Sequence, residues 1–245
     1  MRLVSFDRPG YGGSTPAPFG LSTIAADAHA IADALGVDRF ATLGFSGGGP
    51  GALAAATVGD GRVSRVGLAS GAAPFQLVPG LLDELDETDR AALALLPGDP
   101  AAAAAGFGAG FGPLVELAKD PNGPGVASAF EGALSPRDRE LFGDQAFASA
   151  FEASVRESLR QGTSGAGWDN VSWIGDWDVD LNAVRCRVLL WCGTDDRFAP
   201  PAHGRWLAEN LPRASLVMRE GEGHFGIVEH LGEMLDALTS AAAAE

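Results

Sequence analysis

Three residue types spread along this chain could together move an acyl group: a serine set among glycines, an acid and a histidine. Ser46 stands in Gly44-Phe45-Ser46-Gly47-Gly48, a G-x-S-x-G pattern. A serine hydroxyl is a weak nucleophile unless a base takes its proton and an acid orients that base. Downstream, Asp195 and Asp196 follow the apolar run at residues 188–192, and His224 follows a shorter run at 215–218. The chain order serine, acid, histidine separates one class of such trios from others. With 34 glycines among 245 residues, the serine pattern alone is weak, and it gains meaning from what flanks it.

The flanking elements suit the chemistry. Residues 40–45 read as a buried parallel strand. Residues 50–58 read as a helix, with Pro50 where a first turn tolerates proline. Gly44 and Gly48 let strand and helix approach closely, which forces Ser46 into a strained turn with its hydroxyl above the sheet. The Gly47 N–H then points from a helix N-terminus towards whatever Ser46 attacks, as an oxyanion donor. The acid and the histidine each follow a predicted strand. All three residues therefore fall on the carboxyl edge of a parallel sheet, where open α/β sheets build their sites.

Together these motifs resemble the α/β-hydrolase family, in its small cap-bearing branch of esterase-, lactonase- and peptidase-like enzymes. Asp7-Arg8-Pro9-Gly10-Tyr11-Gly12-Gly13-Ser14 resembles the loop after the family's fourth strand. Residues 44–48 resemble the nucleophile elbow, 193–200 the acid loop, and Gly223-His224 the histidine loop. The resemblance implies an α/β fold, a mostly parallel doubly wound sheet with a helical cap insertion. It puts the core at residues 1–73 and 168–245, and the cap at 74–167, over Ser46. It also selects Asp196 as the orienting acid, because Asp196 stands four residues before Pro200; Asp195 then serves the turn. Residues 70–74, where some hydrolases of this fold carry their acid, hold no carboxylate.

By the same resemblance residues 1–6 are already the family's fourth strand, with 3–6 in a ladder. The strand that the family puts between its fourth and fifth has no counterpart in this N-terminally truncated version of the fold. The loop after that strand would supply the second oxyanion N–H, so the implied oxyanion hole is the Gly47 N–H alone, with the second donor missing from this chain. Each backbone group left dry beside an absent strand costs ~1–3 kcal/mol. Either the two flanking strands pair directly or the natural protein begins upstream of Met1, and the second is the favoured expectation.

The implied function is cleavage of a small carboxylic ester, thioester, lactone or amide, an ester first among them. Ser46 attacks, His224 takes its proton, and Asp196 holds the imidazole. Haloalkane dehalogenases and most epoxide hydrolases of this fold use aspartate where Ser46 stands, which argues against both. A carbon–carbon hydrolase and a cofactor-free perhydrolase keep the same trio and stay open. So do a non-catalytic small-molecule-binding relative and an inactive truncated chain. The expected partner is a small-molecule acyl substrate, with no cofactor and no metal: the sequence has no paired Cys/His spacing and no phosphate-binding loop lysine.

Composition narrows the remainder. A net charge of −15 argues against nucleic acid and anionic membranes as partners. Cys186 and Cys192 lie at the two ends of one predicted strand, about 20 Å apart, whereas a disulfide needs Cα atoms within ~7 Å. Free thiols, no apolar run of ~20 residues and no leader pattern point to the cytoplasm. Oligomeric state is not legible.

Other expectations concern packing. A helix capped by Ser22 or Thr23 runs to Leu35, with Ile24, Ala28, Ile31 and Leu35 on one face and Asp27 and His29 solvated. Residues 81–96 form an amphipathic helix, and a second helical run opens at Ser135-Pro136 and extends to 160, with a break at 121–125. The Ala- and Gly-rich stretch at 101–112, with Phe107 and Phe111, reads as a mobile lid or a poorly packed connector. Trp168, Trp173 and Trp177 read as packing, and His203 and His230 as surface or packing within helices at 202–211 and 227–238. Asp7 and Arg8 hold their turn, and 241–245 is a fraying tail.

Overall fold

The computed structural model describes residues 1–120 and 123–240. Part of the expected break, residues 121 and 122, and the whole expected tail at 241–245 lie outside the described residues. The elements run α1 (Leu21–Ala34), β1 (Phe40–Phe45), α2 (Gly49–Thr57) and β2 (Val63–Ala69). Then follow α3 (Leu81–Glu84), α4 (Glu87–Leu93), α5 (Pro100–Gly110), α6 (Gly112–Lys119), α7 (Pro136–Gly143), α8 (Gln145–Ser158) and α9 (Ser164–Ile174). The chain closes with β3 (Arg187–Gly193), α10 (Pro201–Asn210), β4 (Ala214–Arg219) and α11 (Ile227–Thr239). It divides into two compact units: Met1–Val4, Leu21–Ala73 and the chain from Val179 on form the first, and Ser5–Gly20 with Pro74–Asp178 form the second.

The first unit is built on a parallel sheet in the order β1-β2-β3-β4. Its register aligns the carboxyl ends, with Phe45 opposite Ala69 and Ala69 opposite Trp191. Alternate residues of these apolar strands face opposite sides, so both sides need cover. Ala69 and Trp191 pack with Ile227, Met234 and Leu238 of α11. On the other side Val66, Leu68, Val188 and Leu190 are at most 2 % exposed. Burial of this kind stabilises by about 1.5–3 kcal/mol per large aliphatic side chain.

Residues 1–8 form no strand, which corrects the expected ladder at 3–6. Met1, Leu3 and Val4 are 77 %, 71 % and 51 % exposed. The apolar residues Leu3, Val4 and Phe6 favour extended backbone, but a ladder needs a neighbour that offers its N–H and C=O groups. Among the described residues β1 is an edge strand, and its Leu43 and Phe45 are exposed.

Helix α1 begins at Leu21, so Ser22 and Thr23 lie inside it and do not cap it. Its buried residues are Leu21, Ile24, Ala25, His29 and Ala32, while Leu35 is exposed. The stripe is thus rotated from the expected one. His29 is buried, not solvated, and its Nε2 meets the Ala55 carbonyl at 2.9 Å, which satisfies the polar edge of the ring.

In the second unit, Leu85, Ala92, Ala103, Phe107 and Ile174 form the core, with Phe75 and Trp173 packed against it. The expected helix at 81–96 is broken: Leu85 is extended, and Asp86 caps α4 by accepting from the Asp89 N–H at 2.8 Å. The run at 135–160 is divided in the same way by Asp144, which accepts from the N–H groups of Ala146 and Phe147. Ser135 and Asp138 form a capping box at the start of α7.

The stretch at 101–112 is not a poorly packed connector. It lies mostly in α5, whose Ala103 and Phe107 are 0 % exposed. Its small residues serve close helix packing: a Cβ added at Gly167 of α9 would come within 2.9 Å of the Ala104 carbonyl carbon.

Trp173 stacks obliquely on Phe75 with ring centroids 5.4 Å apart, and Trp177 Nε1–H donates to the Trp173 carbonyl at 3.0 Å. In the Gly-rich loop Asp7 accepts from the Gly13 N–H at 2.9 Å and so holds its turn. Arg8 reaches further. Its guanidinium forms a two-point ion pair with Asp169 of α9, which also accepts the Tyr11 hydroxyl at 2.7 Å. Among the described residues no single helix is long and apolar enough to cross a membrane; only α5 and α6 taken together, bent by 48°, reach that length.

Candidate active site

Ser46 follows the last residue of β1 and opens a 3-10 turn, Ser46–Gly48, that leads into α2. Its φ is 52°, a left-handed conformation rare for a residue with a Cβ. Gly44 permits the turn: a Cβ there would lie 2.7 Å from both the Gly48 carbonyl carbon and the Gly49 Cα. Gly47 is the second residue of the turn, so its N–H is among the first donors of a helical start, which lack an acceptor within the helix.

The acid loop follows β3. Thr194 N–H and Asp195 N–H donate to the carbonyls of Arg219 and Glu222, both at 2.9 Å, tying this loop to the one after β4. Asp195 is exposed and accepts the Thr194 hydroxyl at 3.2 Å. Asp196 turns inward and is 4 % exposed. One of its oxygens accepts from Phe198 N–H at 2.9 Å and Ala199 N–H at 2.8 Å. Both oxygens face His224 Nδ1, at 3.0 and 2.9 Å. A buried carboxylate is tolerable when its lone pairs are filled in this way.

His224 is 3 % exposed. With Nδ1–H donating to Asp196, the neutral ring keeps its lone pair on Nε2, the atom a general base uses. Phe45 and Phe198 flank the imidazole, each with its ring centroid 4.9 Å away. Phe45 directly precedes Ser46. The structure thus brings Asp196 onto His224, and His224 onto Phe45, the residue directly before the Ser46 turn. Sequence reasoning missed the flanking phenylalanines, whose signal is position alone: Phe45 stands beside Ser46 and Phe198 inside the acid loop.

The remaining candidates separate from this group. His203, in α10, is 2 % exposed and is packing: its Nδ1 accepts the Ala73 N–H at 3.0 Å. Burial pushes its pKa down to about 4, against the opposing pull of the Asp196 charge. His230, in α11, meets Glu233 at 3.1 Å on the outside of the unit. Burial, together with the nearby Asp196 charge, pushes the Cys192 thiol up to about 12, which leaves it protonated and unreactive. Cys186 and Cys192 are both free.

The sequence profile of the alpha/beta hydrolase fold matches residues 1–231. The chain belongs to that family. A curated relative, 2-hydroxy-6-oxo-6-phenylhexa-2,4-dienoate hydrolase of Burkholderia cepacia, is 39 % identical over 56 residues, 22 % of this chain and 20 % of the relative. The curated matches take in no more than a fifth of those relatives' own length.

Solved structures match far more of the chain. Est816, described as an N-acyl homoserine lactone degrading enzyme, has a TM-score of 0.61 at 22 % identity, over 94 % of this chain and 78 % of its own. The esterase EaEST of Exiguobacterium antarcticum has a TM-score of 0.58 at 21 % identity, over 95 % of this chain and 78 % of its own. At such identities these likenesses establish the fold.

Proposed function

We propose that this chain is a serine hydrolase that cleaves a small carboxylic ester, thioester, lactone or amide through an acyl-enzyme on Ser46. The observation that carries the reading is the buried Asp196–His224 pair, seated against Phe45 at the mouth of the strained Ser46 turn. His224 Nε2 takes the Ser46 proton as the oxygen attacks the carbonyl carbon. Asp196 holds the ring in the productive tautomer and stabilises its protonated form. The tetrahedral oxyanion receives the Gly47 N–H. The leaving group departs with the proton from His224, and a water activated by the same ring then releases the acid.

The same proposal gives the chain a cytoplasmic setting, supported by two free thiols. The esterase and lactone-degrading descriptions of the structural neighbours favour an oxygen ester, open or cyclic. Turnover of short p-nitrophenyl esters and of a simple lactone, measured beside Ser46→Ala, tests the reading. Hydrolysis that disappears in the variant supports it; equal rates in the two proteins contradict it.

A second reading, a relative that binds a small molecule without turning it over, is favoured by one observation. The strand that carries Ser46 is an exposed edge, with Leu43 and Phe45 38 % and 39 % open to solvent. A wet site weakens every electrostatic contribution to catalysis. Ligand-induced stabilisation without turnover would support this second reading.

A further inference from the structure

Ser70 is a fully buried serine that the proposed reaction does not use. It directly follows β2, is 0 % exposed, and has φ 49°, a conformation that strains any residue with a Cβ. Two hydrogen bonds fix it. Its N–H donates to the Trp191 carbonyl at 2.8 Å, and its hydroxyl donates to the His224 carbonyl at 3.3 Å. The short segment that it opens packs against α2 and α10. A Cβ added at Gly49, at the start of α2, would come within 2.9 Å of the Gly71 Cα, and Ala73 N–H donates to His203 in α10.

We propose that Ser70 is a positioning residue for His224, its hydroxyl holding the histidine's backbone carbonyl so that the imidazole stays seated between Asp196 and Phe45. The proposal deepens, and rests on, the serine-hydrolase reading. The imidazole is gripped at its ring by Asp196, Phe45 and Phe198, but the backbone that carries it runs between Gly223 and Gly226, with Gly221 at φ 73°. Such a backbone needs an anchor from outside its own loop. Ser70 supplies one from the end of β2, across β3, and does so in a conformation that glycine would occupy with less strain.

That last point makes the test discriminating. Ser70→Gly and Ser70→Ala both remove the hydroxyl, but only the first relieves the strain. Two readouts apply to the whole chain: exchange of the His224 Nδ1–H proton with water, by NMR, and the rate at which a fluorophosphonate labels Ser46. The expected result is exchange about tenfold faster and labelling about tenfold slower in both variants, since a shift of ~1 Å in a catalytic group costs up to about 10²-fold. Exchange at the wild-type rate in both variants overturns the proposal. An effect confined to Ser70→Ala also overturns it, because Ser70→Gly removes the same hydroxyl. If the Nδ1–H proton is protected in the wild type and exposed in both variants, while the wild type takes up no probe, the positioning role stands and the hydrolase reading fails.

Discussion

Asp196 meets the Nδ1–H of His224 with both carboxylate oxygens, at 2.9 and 3.0 Å, where the two side chains are 0 % and 4 % exposed. Its neighbour Asp195 faces solvent, and its carboxylate accepts the Thr194 hydroxyl. Asp196→Asn keeps the shape but offers an amide in place of the carboxylate, which permits the wrong imidazole tautomer. A fall in kcat of about 10³–10⁴ is expected, whereas Asp195→Asn should stay within about twofold. Steady-state rates on one activated ester compare the two.

Gly44 is expected to be irreplaceable for a steric reason. Even alanine would bring its Cβ 2.7 Å from backbone atoms of Gly48 and Gly49, and backbone cannot rotate away as a side chain can. Gly44→Ala should destabilise by about 1–3 kcal/mol and distort the Ser46 turn. Urea unfolding gives the stability change, and wild-type stability in the variant would contradict the geometry.

His203 makes stability depend on pH with a definite sign. Buried and neutral in the native state, it titrates near 4, against 6.5 for an ordinary histidine. Below about pH 6.5 the unfolded chain takes up a proton that the native chain refuses, so unfolding becomes easier as pH falls. The contribution is fully present above pH 6.5 and disappears by about pH 4, at most roughly 3 kcal/mol across that window. His203→Gln, which does not titrate, should show a shallower decline over the same range. Parallel stability–pH curves for the two proteins would contradict this account.

The thiols give a further check. Cys192 is 3 % exposed with its pKa pushed to about 12, while Cys186 is only partly buried and its pKa is raised less. A disulfide reagent added to the native protein near pH 8 should titrate at most one thiol, slowly, and two after denaturation. Two fast equivalents in the native state would contradict the burial of Cys192.

These relationships were unevenly legible in the sequence. The runs at 40–45 and 63–69 coincide with β1 and β2 in extent, but only β2 is largely buried; β1 is an exposed edge among the described residues, because an apolar run does not name the neighbour that would cover it. The resemblance to the family's acid loop, through the spacing from Asp196 to Pro200, selects the aspartate that meets His224. Residues 3–6 misled because apolar residues specify extended backbone without specifying a partner. Asp86 and Asp144 were hidden for a related reason, since a capping aspartate looks like one more residue of a helix's polar face. The Ala- and Gly-rich α5 looked loose because small side chains suggest little packing, whereas here they let α5 and α9 approach closely. Ser70 and His29 act through hydrogen bonds to distant carbonyls, Ser70 to His224 and His29 to Ala55, and local sequence carries no trace of such partners.

The central claim, that Ser46 is activated by His224, is tested most directly by intact-mass analysis after exposure to a fluorophosphonate. The account predicts a single adduct on the wild-type chain, its absence in Ser46→Ala, and labelling slowed by orders of magnitude in His224→Gln. A folded wild-type chain that takes up no probe, or that labels equally in Ser46→Ala, would contradict it.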